Sequence, residues 1–106
     1  MKIDLFVTAY LRQGFTRETI KYLKERTASP HSLFLLDNGG NNEFRGEVDY
    51  YIGFGSNLGI HAAWNVALAL TTTEYFVTCD NDILAPDLAP DWLSQMIRLM
   101  DDRPDY

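Results

Sequence analysis

Four short runs of strand-forming apolar residues, each closing on a small polar cluster, restrict this chain more than any other feature. The runs are IDLFVTA at 3–9, SLFLLDNGG at 32–40, VDYYIGF at 48–54 and EYFVTC at 74–79. The first, short and nearly unbroken, reads as a strand buried on both faces, the second as another buried strand, as in a parallel sheet; the third reads as a strand by its β-branched and aromatic content, and 74–79 as the fourth. The segments between them have helical spacing. Residues 17–26 carry Ile20, Tyr22 and Leu23, with Thr16 as the expected N-cap, and 59–71 repeats Ile60, Trp64 and Leu68. Pro90-Asp91-Trp92 opens a last helix bearing Leu93, Ile97 and Met100. The order β-α-β-β-α-β-α predicts an α/β fold: a mostly parallel open sheet of about four strands with helices on both faces. Trp64, Trp92, Tyr22 and Phe76 are expected in the core. The polar, Gly-rich GGNNEFRGE reads as a loop.

The length of 106 residues allows one domain, 1–106. Fifteen acidic residues against nine basic ones give a net charge of −6, with no Lys/Arg cluster. Nucleic acid is thereby excluded as an expected partner, because its binding rests on cationic contacts to phosphate. No apolar run approaches the roughly 20 residues of a membrane span, so no membrane insertion is expected. Asp4 stands where a secretion signal would carry its apolar stretch. Cys79 is the single cysteine, which rules out an internal disulfide and points to a reducing, cytoplasmic setting. At the end of an apolar strand it reads as a small buried filler rather than a reactive thiol.

Open α/β sheets bind ligands outside the carboxyl ends of their strands. Here those ends are Thr8-Ala9-Tyr10, Asp37-Asn38-Gly39, Gly55-Ser56-Asn57 and Asp80-Asn81-Asp82. If the strands are parallel, hydroxyls, carboxylates and amides converge on one edge. Asp80 and Asp82, two apart on extended chain, point to the same side. A hard divalent cation such as Mg²⁺ or Mn²⁺ relieves their repulsion and keeps positions open for phosphate oxygens. The competing reading is an acidic Asx turn; at the end of a buried strand the metal reading is the stronger. Asp37 is either the first residue of a turn or an acceptor for the edge of a base. Asn57 and Gly59 either shape a turn or bring a helix N-terminus to a phosphate. His61 and Asn65 share a helix face, where His61 reads as core or ordinary surface. Tyr10 is the aromatic placed to stack on a base. Among Arg12, Arg17 and Arg45, Arg12 is the one placed to reach a diphosphate. The glycine spacing of GFGSNLG does not fit a dinucleotide fingerprint. Ala85, where an EF-hand starting at Asp80 requires Gly, excludes that motif.

Taken in order, LFVTAYLR (5–12), LFLLDNGG (33–40), NLGIHAAWNVAL (57–68) and YFVTCDNDILAPD (75–87) resemble the N-terminal half of a family 2 glycosyltransferase of the A-type, Rossmann-like fold. The resemblance implies a site for a nucleotide-diphosphate sugar, of UDP or dTDP type, with Mn or Mg as cofactor. Thr8 and Tyr10 would line the base pocket and Asp37 would bond the base edge. Asn57 and Asn65 would frame the nucleotide, with Asn81 beside them. Asp80 would face the ribose or the metal, and Asp82 would bind the cation that bridges the diphosphate. Enzymes of this kind transfer sugar with inversion, using a base carried in an acceptor-binding half after the D-x-D. This chain stops at Arg103-Pro104-Asp105-Tyr106, so that half is expected to be absent. Asp87, Asp91, Asp101 and Asp102 read as loop, N-cap and helix-end residues rather than as the base. The alternative expectation is a non-catalytic nucleotide-binding or oligomerisation module, with a homodimer formed through an exposed sheet edge.

Overall fold

The computed structural model describes residues 2–40 and 43–103. Four strands, β1 (Ile3–Ala9), β2 (His31–Asp37), β3 (Tyr50–Gly53) and β4 (Phe76–Asp80), form one sheet in the order β3-β2-β1-β4. All three pairings are parallel. The helices are α1 (Gln13–Arg26), α2 (Ile60–Leu70) and α3 (Trp92–Asp102). Central β1 is buried at every residue, and its alternation sorts two cores. Ile3, Leu5, Val7 and Ala9 join Leu33 and Leu35 under α1 (Ile20, Leu23) and α3 (Trp92, Leu93). Phe6 and Leu36 face α2 on the other side. The expected helices on both faces are present.

The buried face of α2 differs from the one its large residues suggest. Ala63 and Ala67 are fully buried against the sheet, whereas Trp64 and Leu68 keep 42% and 63% of their surface exposed. Trp64 is therefore not a core aromatic. The sheet supplies the volume here: the Phe6 ring stacks on Phe34 at 4.4 Å and meets Phe76 edge-on at 6.1 Å. A layer already filled by three aromatic rings is complemented by a helix that presents methyl groups.

Two further expectations are corrected. Helix α1 begins at Gln13 rather than at 17, because Leu11 and Arg12 both adopt positive φ and turn the chain into the helix early. Thr16 is thus inside the helix, its backbone N–H and hydroxyl both donating to the Arg12 carbonyl (3.1 and 3.5 Å). The segment after β2 is not wholly polar surface, since Phe44 is buried in the main core just before a 3-10 turn at Arg45–Glu47.

Asp91 is the N-cap of α3, as expected, and it does more than cap. One carboxylate oxygen accepts from the Ser94 N–H (2.9 Å) and the Ser29 hydroxyl (2.7 Å), the other from the Ser29 N–H (2.6 Å). Burial pushes this carboxyl up, but the hydrogen bonds from Ser29, Ser94 and Ala28 outweigh it and leave the group below the ordinary carboxylate value. Because the folded value is depressed, its stabilisation is present above the unfolded value of about 3.9 and lost as pH falls through the folded one. Asp91→Ala is expected to lower stability by about 1–2 kcal/mol in urea unfolding at neutral pH. In Asp91→Asn the difference from the natural protein should be full at neutral pH and shrink below about pH 3.9.

Candidate functional site

Strand order decides where the site lies. From β1 the sheet grows through β2 to β3, and β4 then returns to the opposite side of β1. The order thus reverses between β1 and β4, and it is outside the carboxyl ends of the strands at such a switch point that open α/β sheets bind ligands. The register brings Thr8 opposite Asp80 and Ala9 opposite Asp37, so three strands deliver their polar residues at one level. Thr8 Oγ1 is buried and, among the described residues, stands alone as a buried side-chain polar atom with no hydrogen-bond partner. Such an atom calls for an explanation, because leaving a buried hydroxyl unmade costs about 1–3 kcal/mol.

The middle residue of Asp80-Asn81-Asp82 explains the spacing of the other two. Asn81 turns inward: its Nδ2 donates to the Leu11 carbonyl (3.2 Å) and to Thr16 Oγ1 (3.0 Å), and its carbonyl accepts from the Thr19 hydroxyl (2.9 Å). This latch holds the β1–α1 loop, where Leu11 (φ 55°) and Arg12 (φ 53°) occupy the left-handed region. That conformation costs non-glycine residues roughly 1–2 kcal/mol each, and strain of this kind gathers at functional sites. With Asn81 drawn inward, Asp80 and Asp82 are left exposed. Asn81→Ala is expected to lose about 1–3 kcal/mol of stability and to raise amide exchange in residues 10–12.

Asp37 is buried at the end of β2 and accepts a hydrogen bond from the Tyr51 hydroxyl at 2.7 Å. It lines a small cleft with Ala9, Leu11, Gly39 and Gly40. The half-exposed Tyr10 ring borders the same place, since a Cβ on Gly39 would lie 3.6 Å from its Cε1. Asn57 Oδ1 accepts from the Gly59 N–H (3.0 Å), an Asx turn leading into α2. Asn65 lies within α2 on its exposed surface, and among the described residues no hydrogen bond joins it to the others. His61 is on the surface, edge-on to Trp64 at 5.5 Å. Arg12 is exposed beside Phe15, whereas Arg17 pairs with Glu43.

Two residues of this edge do more than their local sequence signals indicate. Asn38 is buried, accepting from the Leu58 N–H (3.0 Å) and donating to the Gly59 carbonyl (3.4 Å), and so fixes the entry to α2. Tyr51 carried only a strand signal. Cys79 packs against the main core, and burial, then the charge of Asp80, push its thiol up to about 12. It is an unreactive filler, as read. Among the described residues no three His, Cys, Asp or Glu side chains gather into a complete cage for a metal ion.

The model of glycosyl transferase family 2 matches residues 4–106. The chain belongs to glycosyl transferase family 2. As a member of that family it shares its fold with S. aureus TarS, with a TM-score of 0.75 and 17% identity over 97% of this chain and 20% of that one. Residues 1–349 of TarS give the same TM-score and identity, with 33% of that chain covered. The mannosyltransferase PcManGT from Pyrobaculum calidifontis, solved in complex with GDP-Man and Mn²⁺, has a TM-score of 0.65 and 18% identity over 79% of this chain and 28% of its own. The family 2 chain therefore spans between a fifth and a third of the length of these structures. No curated protein sequence matches it. No described helix is long and apolar enough to cross a membrane.

Proposed function

We propose that residues 1–106 form the donor-binding half of a metal-dependent, inverting glycosyltransferase, taking a nucleotide-diphosphate sugar of UDP or dTDP type. The observation that carries this reading is the pair at the switch point: a buried Thr8 hydroxyl without a partner among the described residues, paired in register with Asp80, whose carboxylate is exposed. A ligand oxygen or N–H at that switch point would satisfy the hydroxyl that the described residues leave unbonded. Tyr10 offers a ring face to the base and Asp37 an acceptor to its edge. Asn57 and Asn65 belong to the nucleotide side through α2, and Asn81 contributes by fixing the turn.

The donor set fits a hard divalent ion. Asp80 and Asp82 are both exposed carboxylates, and as a pair of oxygen ligands they would leave further positions for phosphate oxygens and water. PcManGT was solved with Mn²⁺, which supports the same use here. A cation held by Asp80 and Asp82 would supply Lewis-acid stabilisation of the departing diphosphate. Thr8 and Asp37 would hold the nucleoside in register while Arg12 approaches the phosphates from the strained loop. The catalytic base belongs to the acceptor-binding half, outside these residues. Asp91 is committed to its cap and Asp101 accepts from the Tyr75 hydroxyl (2.9 Å). A reducing, cytoplasmic setting goes with the single, buried thiol.

Calorimetric titration with UDP, with and without Mn²⁺, tests the reading. Mn²⁺ should tighten UDP binding about a hundred-fold, equivalent to ~2.7 kcal/mol, and Asp82→Ala should abolish that gain. Absence of binding, or a gain that survives Asp82→Ala, overturns it. The alternative, a non-catalytic oligomerisation module, is favoured by one observation. Strand β4 is an open edge flanked by exposed Trp64, Ile83, Met96 and Leu99, and such edges pair with other strands. A homodimer in sedimentation that binds no UDP would support that reading instead.

A further inference from the structure

Tyr51 is built into place by four separate features, none of which the donor-site reading uses. Its hydroxyl donates to Asp37 Oδ2 at 2.7 Å. A Cβ on Gly40 would fall inside van der Waals contact with both the Asp37 carboxylate and the Tyr51 hydroxyl, so no side chain fits over that hydrogen bond. A Cβ on Gly53 would come within 2.9 Å of Tyr51 Cε1, so a second glycine clears room for the ring. The Arg45 guanidinium stands over the ring at 5.9 Å. Strand register puts Gly53 beside Asp37 and Tyr51 beside Leu35, which makes the ring a diagonal neighbour of the carboxylate on the same face.

We infer that Tyr51 is a positioning residue for base recognition: it pins one oxygen of Asp37 so that the other is a fixed acceptor for the ring N–H of a uracil- or thymine-type base. The inference rests on the donor-site reading and deepens it by naming the residue that orients Asp37 toward the base. An ionised carboxylate only accepts. The Tyr51 hydroxyl takes Oδ2, which leaves Oδ1 as the oxygen that would face a base and sets the plane of the group. A site built to accept from a donor strongly rejects an analogue that lacks it, because the buried acceptor is then left unpaired. Orientation by a supporting hydrogen bond is what makes such rejection sharp.

The test is a titration of UDP and N3-methyl-UDP, in Mn²⁺, against the natural protein, Tyr51→Phe and Gly40→Ala. The natural protein should prefer UDP at least ten-fold. Tyr51→Phe removes the hydroxyl and Gly40→Ala wedges the bond apart. Each should erase about ten-fold of that preference while affinity for the methylated nucleotide stays within about two-fold. A purely structural Tyr51 would shift the melting temperature of the variants and leave the ratio between the two nucleotides unchanged. Retention of the preference in a folded variant of either kind overturns the inference. If the natural protein binds both nucleotides equally, the inference falls and the donor-site reading stands. If it binds neither, both fall together.

Discussion

Phe6→Ala is expected to remove about 3–5 kcal/mol of stability, the largest effect of any single truncation in this chain. Phe6 is fully buried in the central strand. Its ring stacks on Phe34 at 4.4 Å, and Phe34 in turn stacks on Tyr50 at 4.6 Å, while Phe76 closes the other side edge-on. Aromatic pairs of this geometry add about 0.5–1.5 kcal/mol beyond their burial. Truncation therefore loses transfer energy and ring contacts, and it leaves a void between β1 and α2 that the alanines of α2 cannot fill. Against a total stability of about 5–15 kcal/mol for an ordinary domain, the variant should be partly unfolded at room temperature or close to it. Urea denaturation with an unchanged slope and a much lower midpoint is the expected record. A midpoint within experimental scatter of the natural protein would contradict the two-core description.

The second large effect is expected on the opposite side of the same layer. Ala67→Phe should destabilise by about 3 kcal/mol or more, since overpacking a filled core forces backbone shifts. Ala67 is fully buried against Phe6 and Leu36, and a benzyl group there has no space unless α2 lifts off the sheet. Leu68→Lys, one residue further along the same helix, should cost no more than about 0.5 kcal/mol, because that position is exposed and both residues are good helix formers. In thermal melts the first change should lower Tm by roughly 12–20 °C for a domain of this size, and the second should leave it nearly in place. Equal effects would mean that the large residues of α2 face the core after all.

The contrast between Ala67 and Leu68 also shows how much was legible beforehand. Residues 60, 64 and 68 repeat at helical spacing, and so do 63 and 67. A single helix thus offers two periodic faces, and size alone favours the wrong one. Which face is buried depends on the volume already supplied by Phe6, Phe34 and Phe76, and these arrive from strands separated by up to 70 residues. The start of α1 departs from the local signal for a related reason: Leu11 and Arg12 take a left-handed conformation that neither residue prefers, held by Asn81 from across the molecule. Phe44 looked like part of a polar loop because its burial is tertiary.

The candidate site divides in the same manner. Apolar runs of strand length, broken by helical spacing, determined a parallel α/β sheet with helices on both faces, since local period and buried composition allow little else. The polar residues that close those runs determined which edge holds the candidate site, and the spacing of Asp80 and Asp82 alone marks them as a pair. Only the tertiary structure decided that β4 lies beside β1, which sets Asp80 opposite a buried Thr8 hydroxyl with no partner among the described residues. Only it assigned Asn81 to a latch and Tyr51 to Asp37. Spacing records what one segment presents. Partnership between segments is settled by strand order and packing, which no local stretch of the chain contains.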